Sequence, residues 1–477
     1  MRHRRGIILC AFGLVALTGC SLHRPQEIAL PVELPGAYLE QGEVSSGTPL
    51  ARWWESFEDP RLNALMTELF AANLELEQAF ARIDQARSAV RSVRSARLPF
   101  ANIEGEGGRS RQPSFAGDFT GDNQKLSAAA GFEVDLWGKL AARTKAAEKD
   151  AQARLEELQI LYLGLSAQLA DLYYFAVEQR SQIELADRTI ASFTDTLKRV
   201  EDRYRAGLAP PLDVYQARQS LAGAQASRHV FEANLAAAEH AIAVLIGRYP
   251  DRETAGDLAV LPPVPEAFPV GLPAELVGRR PDLKAALRSI EAADARVAAA
   301  IAERFPSVNL LGSYGHSRQE FSTGLIAGDF WSLLGRLILP VVDGGRRKAE
   351  VDRSRAVVRE TVARYRQAVL DAFREVEDAL AANRADEQRI GRLEENGAAA
   401  ESALRLSLDS YLNGLTDYLP VLTAQRSDFE VKSRLLAARR QLVSDRITLA
   451  RVLGGGWMIE PIEDRLTSNT KGPESNE

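Results

Sequence analysis

Histidines, cysteines, paired carboxylates and glycine-rich turns are what a catalytic, metal-binding or nucleotide-binding site is built from, and this chain holds few of them at useful spacings. Beyond the first twenty residues the histidines are His23, His229, His240 and His316. His229 and His240 fall eleven apart in a helical stretch, on nearly one face but about 16 Å apart along the axis, too far to share a metal ion. No zinc-ligand spacing, no G-x-S-x-G elbow and no phosphate loop ending in Gly-Lys-Ser/Thr occurs. Gly105-Glu106-Gly107-Gly108 lies in an alternating segment and lacks the third glycine of a dinucleotide fingerprint. Carboxylates are plentiful, but three or four apart on amphipathic helices they mark solvated faces. The chain is therefore expected to be no enzyme and to hold neither cofactor nor metal. Lys plus Arg number 59 against 65 Asp plus Glu, giving a net charge of -6 with both signs interleaved. A nucleic-acid partner has no basic patch to grip.

One residue has a defined chemical fate. Arg2, Arg4 and Arg5 precede an apolar run from Ile7 to Leu17, too short to span a bilayer, and Leu17-Thr18-Gly19-Cys20 closes it. The segment resembles the lipobox of bacterial lipoproteins. That resemblance implies a signal peptide over 1–19, cleavage before Cys20, and a covalent lipid on Cys20 carried by both its thiol and its amine. Several acyl chains on one residue anchor a protein far better than one. Ser21, rather than aspartate, follows the cysteine, which implies outer-membrane delivery. Cleavage also removes Cys10, so the mature chain has a single cysteine and no internal disulfide.

The elements are organised by a duplication. Shifted by 207 positions, the sequence falls on itself: Leu76 on Leu283, Pro99 on Pro306, Leu126 on Leu333, Tyr204 on Tyr411, Gly207 on Gly414 and Gly247 on Gly454. An irregular, proline-bearing segment covers 20–60. The first repeat covers 61–249, with strands at about 101–136, a long helix at about 138–207 and a turn at about 207–212. A proline-rich linker covers 250–280. The second repeat covers 281–456, with strands at about 307–341, a long helix at about 345–414 and a turn at about 414–419; a polar tail follows over 457–477. With 45% apolar and only 7% aromatic residues, the composition favours long helices. Neither long helical stretch contains proline, and seventy residues of helix extend roughly 100 Å. Val358, Val362, Tyr365, Val369, Ala372, Val376 and Ala379 follow the 4-3-4-3 spacing of a packed seam.

The strands carry a different signal. Leu126, Ala128, Ala130, Phe132, Val134 and Leu136 alternate with Ser127, Ala129, Gly131, Glu133 and Asp135, as a strand between lipid and lumen requires. The copy preserves the apolar face through Leu333, Gly335, Leu337, Leu339 and Val341, although Phe330, Leu334 and Ile338 make its other face less polar. Partner strands are expected near Ala101 to Arg111 and Ser307 to Ser317, joined to their mates by loops rich in Gly, Asp, Ser and Thr. Four strands cannot close a barrel, and open edges are not tolerated in lipid. Several copies must share one barrel, and three copies with twelve strands is the smallest cyclic solution with a useful lumen.

Taken together, the residues resemble the TolC-like outer membrane factors, in the lipoprotein branch paired with RND efflux systems. The match runs through Cys20, Trp53-Trp54-x-x-Phe57-x-Asp59-Pro60, Gly278-Arg279-Arg280-Pro281-Asp282-Leu283, Asp343-Gly344-Gly345-Arg346, Tyr418-Leu419-x-Val421-Leu422-x-Ala424-Gln425-Arg426-Ser427 and Leu453-Gly454-Gly455-Gly456-Trp457. It implies a mainly α homotrimer with a small transmembrane β part: a shared 12-stranded β-barrel continued by a long α-helical periplasmic barrel. It implies an exit duct of a tripartite efflux system, working with a periplasmic adaptor protein and an inner-membrane RND-type transporter and opened at its periplasmic tip. The alternatives are the outer-membrane component of a type I secretion exporter and a non-channel coiled-coil scaffold lipoprotein. Relatives constrict the pore at the two helix turns, which makes Asp213, Asp417, Tyr204 and Tyr411 the candidate gate residues here. Close relatives carry aspartate where this chain has Thr423, a departure from an acidic gate.

Overall fold

The computed structural model describes residues 23–24, 38–39, 52–114, 117–250, 256–263, 268, 273–321 and 324–454. Cys20, the signal segment and the tail at 457–477 lie outside the described residues, as do most of the irregular N-terminal segment and parts of the linker. Helix α1 (Pro60–Ala72) begins where Asp59 accepts from the amides of Arg61 (2.9 Å) and Leu62 (3.1 Å), with Pro60 at the first helical position. That is a side-chain N-cap with a proline whose missing amide costs nothing there. It buries Leu62, Leu65, Met66 and Leu69. Helix α2 (Leu74–Ser95) follows at once. A hairpin of β1 (Phe100–Ser114) and β2 (Gly117–Val134) leads to α3 (Lys139–Arg205) and α4 (Pro211–Leu245). The chain then forms α5 (Pro273–Arg279), α6 (Pro281–Ala302), the hairpin β3 (Ser307–Phe321) and β4 (Gly324–Ile338), α7 (Arg346–Leu412) and α8 (Leu419–Val452).

The duplication is written into the joints as well as the order. Asn73, between α1 and α2, donates to the Leu245 carbonyl at 2.7 Å and accepts from the Leu76 amide at 3.0 Å. Arg280, 207 positions on, donates to the Val452 carbonyl at 3.2 Å, and Val452 stands 207 positions after Leu245. Both contacts satisfy a carbonyl at a helix end that has no partner within its helix. The second joint is charged: Arg280 also binds Asp282 (2.6 and 3.0 Å) and Glu375 (2.8 Å).

Two compact units divide the described chain. One comprises Ala81–Glu156, Ala285–Gln367 and the stretch at His23; the rest forms the other. Each takes corresponding portions of both repeats.

In the first unit the strands form one antiparallel sheet in the order β1-β2-β3-β4. Its hairpins are longer than the sequence pattern indicates. β1 runs to Ser114 and β2 starts at Gly117, so the polar stretch expected to be a loop is paired throughout, with Arg109 opposite Asp122 and Arg111, opposite Thr120, reaching diagonally to Asp118 at 2.8 Å. Backbone hydrogen bonds hold a ladder whatever its side chains, whereas alternation reports only where one face is apolar. Leu136, Leu339 and Val341 fall past the strand ends.

The register defines two unlike faces. On one, the rows Ile103–Ala128–Tyr314–Trp331, Ala101–Ala130–Gly312–Leu333 and Val134–Val308–Leu337 are apolar, and Trp331 is 77% exposed. On the other, Asn102–Ala129–Ser313–Ser332 and Glu133–Asn309–Arg336 are polar rows. This second face is crowded. Ser127 is buried, and a Cβ on Gly131 would fall 2.5 Å from the Phe100 ring and 3.2 Å from Leu311. Below the strands Trp137 donates to the Pro306 carbonyl at 2.7 Å and packs against Phe305.

The second unit is helical. Tyr162, Tyr173, Tyr174 and Leu169 of α3 are fully buried, with Phe57 against Tyr174. Along α7 the seam residues Val358 and Tyr365, in the first unit, and Val369, Ala372, Val376 and Ala379, in the second, are buried, as their spacing requires.

Candidate functional site at the helix turns

All four candidate gate residues lie at the turns joining α3 to α4 and α7 to α8, within the second unit. Both long helices stop in the same way. Gly207 and Gly414 each take φ +73°, the amides of Leu208 and Leu415 reach back to the carbonyls of Arg203 and Ser410, and those of Gly207 and Gly414 to Tyr204 and Tyr411. This is the 6→1 and 5→2 closure of a helix end, which needs a left-handed residue that only glycine adopts without strain.

Inside the caps the repeats part company. Tyr411 is 2% exposed and donates through its hydroxyl to the Asp213 carboxylate at 2.9 Å. Asp213 is also buried, so an acid from the first repeat and a phenol from the second form one latch. The guanidinium of Arg203 lies 4.9 Å from the Tyr411 ring centroid and donates to the Leu412 carbonyl at 2.7 Å. Tyr418 packs edge-on to Tyr411 at 5.2 Å and donates to Gln425, whose amide donates to Thr196 at 3.2 Å. Val200, Val214, Ala217 and Val421 enclose the group. Burial, then the bond to Asp213, push the Tyr411 hydroxyl up to about 12, so the phenol keeps its proton and remains a donor at any physiological pH.

The other two candidates stand apart. Tyr204, the repeat mate of Tyr411, is 47% exposed, and Asp417 is exposed. Thr423 is exposed too, its hydroxyl bonded to the Leu419 carbonyl within its own helix at 3.0 Å. Sequence reasoning missed Arg203, Tyr418, Gln425 and Thr196. Tyr418 and Gln425 lay inside a quoted motif; Arg203 gave no signal, being one of many helical arginines.

The turns also present apolar side chains to solvent at matching positions, Leu208 with Leu415 and Leu212 with Leu419.

A sheet apolar on one face and helices of this length define an outer-membrane channel that extends into the periplasm. The chain belongs to the Outer membrane efflux protein family, which matches residues 65–248 and 272–455, two segments offset by 207. It is 29% identical over 459 residues to the solvent efflux pump outer membrane protein SrpC of Pseudomonas putida, covering 94% of this chain and 98% of that one. It is 28% identical over 455 residues to the cation efflux system protein CusC of Escherichia coli, covering 93% and 97%. The solved outer-membrane channel OprN superposes with a TM-score of 0.83 at 27% identity, covering 92% of this chain and all of OprN. The chain is thus an efflux channel of the outer membrane, in a family of ducts for tripartite pumps rather than of enzymes.

Proposed function

We propose that this chain works as a homotrimer, a passive conduit whose twelve strands close one barrel and whose helix turns form a gate. The observation that carries this reading is the sheet itself. Among the described residues it has four strands with β1 and β4 as open edges. An unpaired edge in hydrocarbon leaves a row of amides and carbonyls without partners, so β1 of one copy must meet β4 of the next. The apolar face then turns to lipid and the crowded, polar face lines the lumen, where side chains converge.

At the periplasmic end, Tyr411–Asp213 and the Arg203 contact hold the α7–α8 turn against the α3–α4 turn, and opening separates them. Asp417 and Tyr204, exposed beside them, belong to the surface that lines or approaches the pore. The exposed leucines are what a periplasmic adaptor would cover, and the energy comes from an inner-membrane transporter of the RND type. Cys20 carries the lipid that tethers the chain. Relatives named for solvents and for cations leave cargo open across the family.

The test is conductance of the purified protein in planar bilayers together with its mass on native gels. A heat-modifiable, β-rich trimer with stable unitary currents is expected; a water-soluble monomer without conductance defeats the reading. Replacing Cys20 by serine should block acylation and leave the trimer, because the barrel closes through strand pairing.

A further inference from the structure

The polar face of the sheet is interrupted by one apolar row. Phe100, Gly131, Leu311 and Leu334 stand side by side across all four strands, and they belong to the crowded face. Gly131 makes the row continuous: with no Cβ there, the Phe100 ring and the Leu311 side chain meet across its position. Phe100 and Leu334 nonetheless remain 54% exposed each. Two residues further along each strand on this face lies Asn102–Ala129–Ser313–Ser332, tied by a Ser313–Ser332 hydroxyl bond of 2.8 Å. On the other side lies Glu133–Asn309–Arg336. A stripe of exposed apolar surface between two polar rows is not what a water-filled pore needs, since pore interiors are polar. Nor is it lipid contact, because the opposite face supplies that.

We infer that this row is an apolar contact band on the lumen wall that takes apolar organic solutes on their way out, an inference that rests on the conduit reading above. Phe100 lies on one edge strand and Leu334 on the other, so pairing of β4 with β1 of the next copy continues the stripe towards a girdle. An apolar solute on the band sheds part of its hydration and regains it in leaving. A weak site of this kind favours entry without holding the cargo.

The experiment uses the full-length trimer in planar bilayers with two probes of equal charge, tetrabutylammonium and tetramethylammonium, added on the helix-turn side. Tetrabutylammonium should reduce the potassium current and tetramethylammonium should not. Leu311→Ser, on the interior strand β3, should weaken the tetrabutylammonium block about fivefold while unitary potassium conductance stays within a factor of about two. Phe100→Ser should do the same, and Phe100→Leu should restore block. Normal conductance with unchanged block in Leu311→Ser overturns the inference and leaves the conduit standing. If Leu334→Ser loses the heat-modifiable trimer while Leu311→Ser blocks normally, the row is packing between copies and the inference fails. A trimer that passes no current defeats the conduit reading, and the inference with it.

Discussion

The two helix turns descend from one ancestor segment, yet only their ends still agree. Gly207 and Gly414 close their helices with the same dihedral and the same pair of backbone bonds. Three residues before each glycine the agreement is gone: Tyr411 is buried in a latch with Asp213, and Tyr204 is half exposed. Backbone geometry resists divergence because it admits few residues. A side chain inside the helix pair can take a new role once its repeat mate no longer needs the same one.

Substitutions test this division directly, beginning with the largest effect. Tyr411→Ala should destabilise the protein by about 3–5 kcal/mol, as loss of a buried aromatic does, while Tyr204→Ala should cost under about 1 kcal/mol. Thermal unfolding of both variants measures the gap, and equal losses would break the comparison. Tyr411→Phe leaves the buried Asp213 carboxylate without its donor, at about 1–3 kcal/mol. If the latch gates the pore, Tyr411→Phe and Asp213→Ala should also raise the open fraction roughly fivefold or more in bilayers, and Asp417→Ala should do so less.

Smaller effects separate cap from latch. Gly207→Ala and Gly414→Ala should each cost about 1 kcal/mol, because both place a Cβ at the same left-handed position. Unequal costs would mean that the caps too have diverged. The phenol of Tyr411 titrates in the unfolded chain near pH 10 but in the folded one only near 12. The native state therefore keeps a proton that the unfolded state releases, and this group's contribution, complete below pH 10, is lost as pH rises towards 12. Tyr411→Phe should flatten that part of an alkaline stability curve. Glu201→Gln, which breaks a solvent-screened pair with Arg218 on the first-repeat side, should leave the thermal unfolding midpoint essentially where it was.

Much of the fold could be read from the residues because its determinants are local or periodic. The long helices begin and end within two residues of the glycines that flank them, and the 207 offset exposed the duplication before any contact was known. The hairpin tips were not legible. Their side chains are polar on both faces, so nothing in the pattern distinguishes a paired ladder from a loop. At the turns, Asp213 and Tyr411 could be nominated from position and type, but their bond could not, because it joins residues 198 apart through the packing of two repeats. Arg203 was hidden for the same reason, since its role depends on a ring and a carbonyl from the other repeat. The apolar row was half visible: Leu334 spoiled the alternation of its strand, but only the register aligns it with Phe100.

The twin joints beneath the repeats differ in kind. Asn73 holds its carbonyl with a neutral amide that dissolved salt does not screen, whereas Arg280 is oriented by Asp282 and Glu375. Both carboxylates are about a third exposed, so rising ionic strength weakens their hold on the arginine while the amide stays seated. The second repeat should therefore loosen at its root first, giving a symmetric-looking subunit a preferred direction of failure.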